Sequence, residues 1–137
     1  MNAGKKMTVG VLAAETGCNI ETVRYYEKAA LMPEPLRSEG GHRLYSFEHV
    51  KRLTFIRRCR ELGFSIKQVK NLLTMIDEPG HSCGEVQRQA QTHIEEIQEK
   101  IEDLRRLEKV LLSMSEQCCE DKYTAQNCPI IESLYKW

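Results

Sequence analysis

Apolar residues recur at intervals of three and four along most of the chain, and a few sharp breakers interrupt them. Val9, Val11, Leu12 and Ala13 predict a short first helix, with Gly17 as its stop signal. Asn19 is placed to cap a second helix from Ile20 to Ala30. The link between them, Glu15-Thr16-Gly17-Cys18, is a tight glycine-containing turn with the spacing of a helix-turn-helix. Pro33, Pro35, Gly40 and Gly41 then exclude helix. Glu39-Gly40-Gly41 between Leu36-Arg37 and Arg43-Leu44-Tyr45 reads as a short β-hairpin.

A second helix pair follows the hairpin. Ser46 caps a helix carrying Val50, Leu53, Phe55, Ile56 and Cys59, which ends near Leu62-Gly63. Ser65 caps the next, with Ile66, Val69, Leu72, Leu73 and Ile76 on its apolar face. Pro79-Gly80 is the strong breaker beyond it. From about Cys83 to Gln117 the pattern runs on without interruption, through Val86, Ala90, Ile94, Ile97, Ile101, Leu104, Leu107, Leu111 and Met114. Such a helix is ~50 Å long at ~1.5 Å per residue. Its narrow apolar stripe is flanked by Glu95, Glu99, Glu102, Arg105 and Lys109, the appearance of a coiled-coil seam. A helix that long has too little of its own chain to lie on, so a homodimer is expected. In the tail, Pro129 opens a short helix over Ile130, Ile131 and Leu134.

The expected fold is therefore mainly α. A winged helix-turn-helix occupies residues 1–80, a dimerisation helix 81–117, and a loop with a short helix 118–137. Charge sharpens this division. The 137 residues carry 20 Lys/Arg and 20 Asp/Glu, yet residues 1–80 hold 13 basic against 9 acidic, leaving 7 against 11 beyond them. A neutral total thus conceals a basic half and an acidic half, as in chains with a nucleic-acid-binding end. No apolar run suits a membrane span or a secretory leader, so a cytoplasmic protein without a membrane partner is expected.

In the basic half, the second helix is the one expected in the major groove, where Arg24, Tyr25 and Tyr26 can reach bases or phosphates. Arg37, His42, Arg43 and Tyr45 on the hairpin would straddle the backbone. One of the adjacent tyrosines must be largely buried. No nucleophile–base constellation marks an enzyme.

The six cysteines divide. Cys18 in the helix-helix turn and Cys59 on the apolar face of its helix read as packed thiols. Cys83, Cys118, Cys119 and Cys128 flank the long helix in polar surroundings. Cys83 and Cys119 lie ~50 Å apart along one helix, so a shared ion requires two chains. If these thiols bind one ion, the paired helices run antiparallel, with two equivalent sites per dimer. Thiolate ligation selects soft or borderline ions, Hg(II), Cd(II), Pb(II), Zn(II) or Cu(I). The paired C-x2–4-C knuckles of a structural zinc site are missing. Adjacent Cys118 and Cys119 also leave thiol-redox sensing open, and Cys118 is either a fourth ligand or a bystander.

The run Asn19-Ile-Glu-Thr-Val-Arg-Tyr-Tyr-Glu27, then Gly41-His-Arg-Leu-Tyr45, then Arg60-Glu-Leu-Gly-Phe-Ser65, resembles the MerR family of bacterial transcription regulators. The resemblance implies a homodimer that binds an imperfect palindrome in promoter DNA. On effector binding it would distort that DNA so that RNA polymerase can use the promoter of metal-resistance genes. By family position Thr22, Arg24, Tyr25, Arg43 and Tyr45 would contact DNA, and Ser65 would present a helix N-terminus to phosphate. Cysteine at position 83 is similar to the members that sense divalent ions. Cys128-Pro-Ile-Ile-Glu-Ser-Leu134 looks most like the mercury branch, whose three thiolates match Cys83, Cys119 and Cys128. Arg58-Cys59-Arg60 and Ser82-Cys-Gly-Glu-Val86 are similar to the cadmium- and lead-responsive branch. The Cys118-Cys119 pair resembles the zinc branch, with Tyr123 where that branch has histidine.

Overall fold

The computed structural model describes residues 5–117 and 124–136. Cys118 and Cys119 lie outside the described residues. The element order is α1 (Val9–Thr16), α2 (Ile20–Lys28), β1 (Leu36–Arg37), β2 (Arg43–Leu44), α3 (Phe47–Glu61), α4 (Ile66–Asp77), α5 (Cys83–Glu116) and α6 (Pro129–Tyr135), with a 3-10 turn at Ala125–Asn127. The mainly helical winged arrangement expected from the sequence is what forms.

Local chemistry sets most boundaries. Thr8 and Asn19 cap α1 and α2, accepting from the backbone N–H groups of Val11 and Thr22. Gly17 ends α1 at φ 71°, a left-handed conformation that costs glycine little. Ser65 and Gln68 form a reciprocal capping box at the start of α4. The second helix stops two residues short of the expected Ala30. Ala30 takes φ 61°, and the Leu31 N–H reaches back to the Tyr26 carbonyl at 3.0 Å, a Schellman-type closure without glycine.

The chain divides into two compact units, Met1–Gln89 and Ala90–Trp137. The division falls inside α5. At the start of α5, His81 pairs with Glu78 and Glu85, and Ser82 Oγ accepts from the Glu85 N–H.

The first unit owns a closed aliphatic core of Leu12, Val23, Leu31, Leu53, Ile56, Val69, Leu72 and Leu73, joined by Tyr26 and Tyr45. Each fully buried aliphatic side chain contributes ~1.5–3 kcal/mol relative to exposure. Arg52 stitches the unit together. It donates through Nε to the Leu31 carbonyl at 2.7 Å and through both amino groups to Asp77, at 2.6 and 2.8 Å. That fork draws the Asp77 carboxyl below its usual range.

The second unit is built differently. Ile94, Ile97, Ile101, Leu104, Leu107 and Leu111 of α5 stand open to solvent in the single chain. Among the described residues of this unit, only His93 and Met114 are buried. Near the end of α5, the Ser133 hydroxyl of α6 donates to Gln117 at 3.2 Å. No described helix is long and apolar enough to cross a membrane.

Candidate nucleic-acid interface and thiol sites

The helix-turn-helix and hairpin gather basic groups on one surface of the first unit. The hairpin pairs Leu36 with Leu44 and Arg37 with Arg43. Gly41 turns it at φ 83°, and Arg37 donates to the Gly41 carbonyl at 2.8 Å. Thr8, Arg24, Arg37, His42 and Arg43 line one concavity of about 270 Å³. Arg24, Lys28, Arg37 and Arg43 line a neighbouring one of about 280 Å³, with Glu27 among them.

The structure brings several of the expected residues together here. Arg24 and Arg43 share both concavities. Tyr25 is 55% exposed while Tyr26 is buried, resolving which tyrosine serves the core. Thr22 sits half-buried in the first turn of α2, its N–H held by Asn19 at 2.7 Å. Ser65 is exposed at the start of α4. The N–H groups of the first turn, Ile66 and Lys67, have no acceptor within the helix by construction.

Tyr45 borders the first of these concavities, yet in the single chain it is 0% exposed. Its backbone bridges Met7 in both directions at 2.8 Å, and its ring stands edge-on to His49, 5.2 Å between centroids. Its hydroxyl donates to Glu27, and burial followed by that hydrogen bond holds the phenol well above its usual pKa. Glu27 also pairs with Arg43 Nε at 3.5 Å. Sequence reasoning passed over Glu27, although a carboxylate among Arg24, Lys28 and Arg43 was the signal to follow.

His49 is a second buried polar residue that sequence reasoning did not single out. Its Nδ1 accepts from the Ser46 N–H at 3.1 Å, which leaves the proton on Nε2 to donate to the Pro33 carbonyl at 3.2 Å. Burial lowers its pKa, with the Pro33 contact opposing, so the neutral ring is favoured.

The thiols occupy distinct settings. Cys59 is buried in the core, where burial raises its pKa and disfavours the thiolate a metal needs. Cys18 packs beside that core, with Sγ 4.0 Å from the Thr16 carbonyl. Cys83 is exposed as the first residue of α5, and Cys128 is half-buried as the N-cap of α6. Two accessible soft donors fit a soft cation better than a hard one. Among the described residues no three Cys, His, Asp or Glu side chains converge within one chain to hold an ion. His81 is exposed; hydrogen bonds first to Glu85, then to Glu78, raise its pKa.

Comparison with known proteins agrees with this layout. Residues 7–76 match the model for "MerR HTH family regulatory protein", and residues 50–114 match "MerR, DNA binding". The chain is 45% identical to the mercuric resistance operon regulatory protein of Bacillus cereus over 131 residues, 96% of this chain and 98% of that one. It superposes with a TM-score of 0.83 on the transcription regulator PbrR691 of Ralstonia metallidurans CH34 in complex with lead(II). That pair is 41% identical, covering 93% of this chain and 98% of that one. For the mercury(II) complex of MerR from Bacillus megaterium MB1 the TM-score is 0.75 at 40% identity, with 94% and 99% covered. These relatives are transcriptional regulators, not enzymes. The helix-turn-helix, the basic wing and full-length similarity lead to one conclusion: the chain belongs to the MerR family of DNA-binding transcriptional regulators, among its metal-responsive members.

Proposed function

We propose that the protein binds an imperfect palindrome in promoter DNA as an α5-mediated homodimer, and that a soft divalent ion switches it. The ion we assign is Hg(II) foremost, then Pb(II) or Cd(II). The observation carrying this reading is the form of α5. Its 34 residues open on an exposed thiol, Cys83, and expose an apolar stripe that a single chain leaves uncovered. Covering that stripe with an antiparallel copy brings Cys83 of one subunit toward Cys119 and Cys128 of the other. Cys83, Cys119 and Cys128 would then hold the ion as thiolates, with Cys118 as a fourth ligand or a bystander. The likeness to a mercuric resistance regulator and to lead(II)- and mercury(II)-bound structures supports this ion class. Bound there, a soft cation supplies a cross-link between subunits.

The remaining residues do the DNA work. Arg24 and Arg43 neutralise phosphates, Tyr25 and Thr22 lie against the groove, and the Ser65-capped N-terminus of α4 offers N–H groups to a phosphate. A metal-dependent change between subunits would reach RNA polymerase as a change in promoter shape. Promoter-coupled transcription with purified protein, titrated separately with Hg(II), Pb(II), Cd(II), Zn(II) and Cu(I), tests this. Activation by Hg(II) at the lowest concentration is expected. Activation by Zn(II) at lower concentration would reassign the ion, and activation by oxidants alone would reassign the thiols to redox sensing.

A further inference from the structure

Glu27 is a carboxylate in the middle of a surface built for phosphates. It shares one concavity with Arg24, Lys28, Arg37 and Arg43, and with a second carboxylate, Glu34, and its side chain is only 13% exposed. Taken as charge alone, it should weaken DNA binding by repelling the backbone. Its contacts point to a different role. One oxygen accepts from the Tyr45 hydroxyl and the other pairs with Arg43 Nε at 3.5 Å. Tyr45 is itself fixed to Met7 on the N-terminal segment and packed on His49 of α3. The Arg43 contact runs through Nε, on the inner edge of the guanidinium, and so leaves the two amino groups to an incoming phosphate.

We infer that Glu27 is a positioning residue of the DNA interface: it locks the hairpin wing to the recognition helix and so fixes the offset between Arg43 and Arg24. The inference rests on the DNA-facing reading of this surface. A clamp of fixed span contributes twice. It removes the entropy that a free Arg43 would lose on binding, and it makes the duplex, rather than the wing, adjust its backbone.

The test is promoter affinity over a salt series for Glu27→Ala, Glu27→Gln and Arg43→Ala, with Glu27→Ala/Arg43→Ala completing a cycle. Positioning predicts that Glu27→Ala weakens binding roughly five-fold despite removing a negative charge, on the scale of a partly exposed ion pair. In the Arg43→Ala background the same change should cost less than about two-fold, because the coupling is already gone. Glu27→Gln keeps an acceptor for Tyr45, so it folds even if alanine does not, and its weakening should vanish with Arg43→Ala too. Tighter binding by Glu27→Ala or Glu27→Gln would overturn the inference and mark Glu27 as a bystander charge. Equal weakening in both backgrounds would overturn it as well, reducing Glu27 to a fold-stabilising residue. Arg24→Ala separates the two levels: unchanged affinity there removes the DNA-facing reading itself. Weakening by Arg24→Ala with strengthening by Glu27→Ala leaves that reading standing and removes only the clamp.

Discussion

The two units of this chain solve opposite problems. Met1–Gln89 closes its own core around Leu12, Leu53, Ile56 and Val69 and ties its loops with Arg52 and His49. Ala90–Trp137 leaves Leu104 at 64% and Leu107 at 59% exposure along a helix with almost nothing buried among its described residues. An apolar stripe of that length open to water is a surface awaiting a partner. The contrast teaches that the first unit is complete as a monomer, whereas the second leaves a surface that the proposed assembly would finish. A regulator gains from this division, since the incomplete half is the one whose arrangement a ligand can bias.

Introducing charge into the stripe should break the comparison most sharply. Leu104→Glu would bury an unpaired carboxylate in the proposed dimer seam, at a cost of roughly 3–5 kcal/mol. Sedimentation equilibrium should find monomers where the native chain is dimeric, while the melting of the first unit stays unchanged. Leu53→Ala should do the reverse. It empties a fully buried site and costs about 3 kcal/mol in the first unit, read by chemical denaturation and independent of protein concentration. A concentration-dependent loss for Leu53→Ala would place the core and the seam in one cooperative block.

A smaller effect is expected at Ala30, whose left-handed backbone costs an L-residue roughly 1 kcal/mol. Ala30→Gly should raise the first unit's stability by up to about that amount, and a loss would mean the alanine methyl packs productively. The smallest effect is a pH dependence at His49. Its folded pKa lies below the ordinary histidine value of 6.5, so below about pH 6.5 the unfolded chain takes up a proton that the folded unit resists. The stabilisation is therefore complete above about 6.5 and is lost as pH falls toward the folded pKa. His49→Gln should flatten this acid-side slope of the melting temperature relative to the native chain.

What could be read in the sequence was what neighbouring residues decide. Asn19 and Ser65 cap helices through atoms three residues away, and the α5 stripe follows from periodicity alone. What escaped depends on distant partners. Ala30 has high helix propensity, yet α2 ends before it because Leu31 is buried and its carbonyl is taken by Arg52, 21 residues on. Tyr45 follows Arg43-Leu44 in a basic hairpin, and nothing local to it foretells that Met7, Glu27 and His49 together hold it. The thiols were legible as chemistry; their assembly is not, because each proposed site draws ligands from both chains.

That last point carries the central claim, and mixed dimers address it directly. Cys83→Ser and Cys128→Ser chains, tagged differently and purified as heterodimers, would each supply what the other lacks at one site and neither ligand at the other. Hg(II) titration followed by thiolate-to-metal charge-transfer absorbance should give one tightly bound ion per heterodimer, against two for the native dimer and none for either mutant homodimer. A heterodimer that binds no ion would contradict the account, because ligands drawn from one chain are spoiled in both partners.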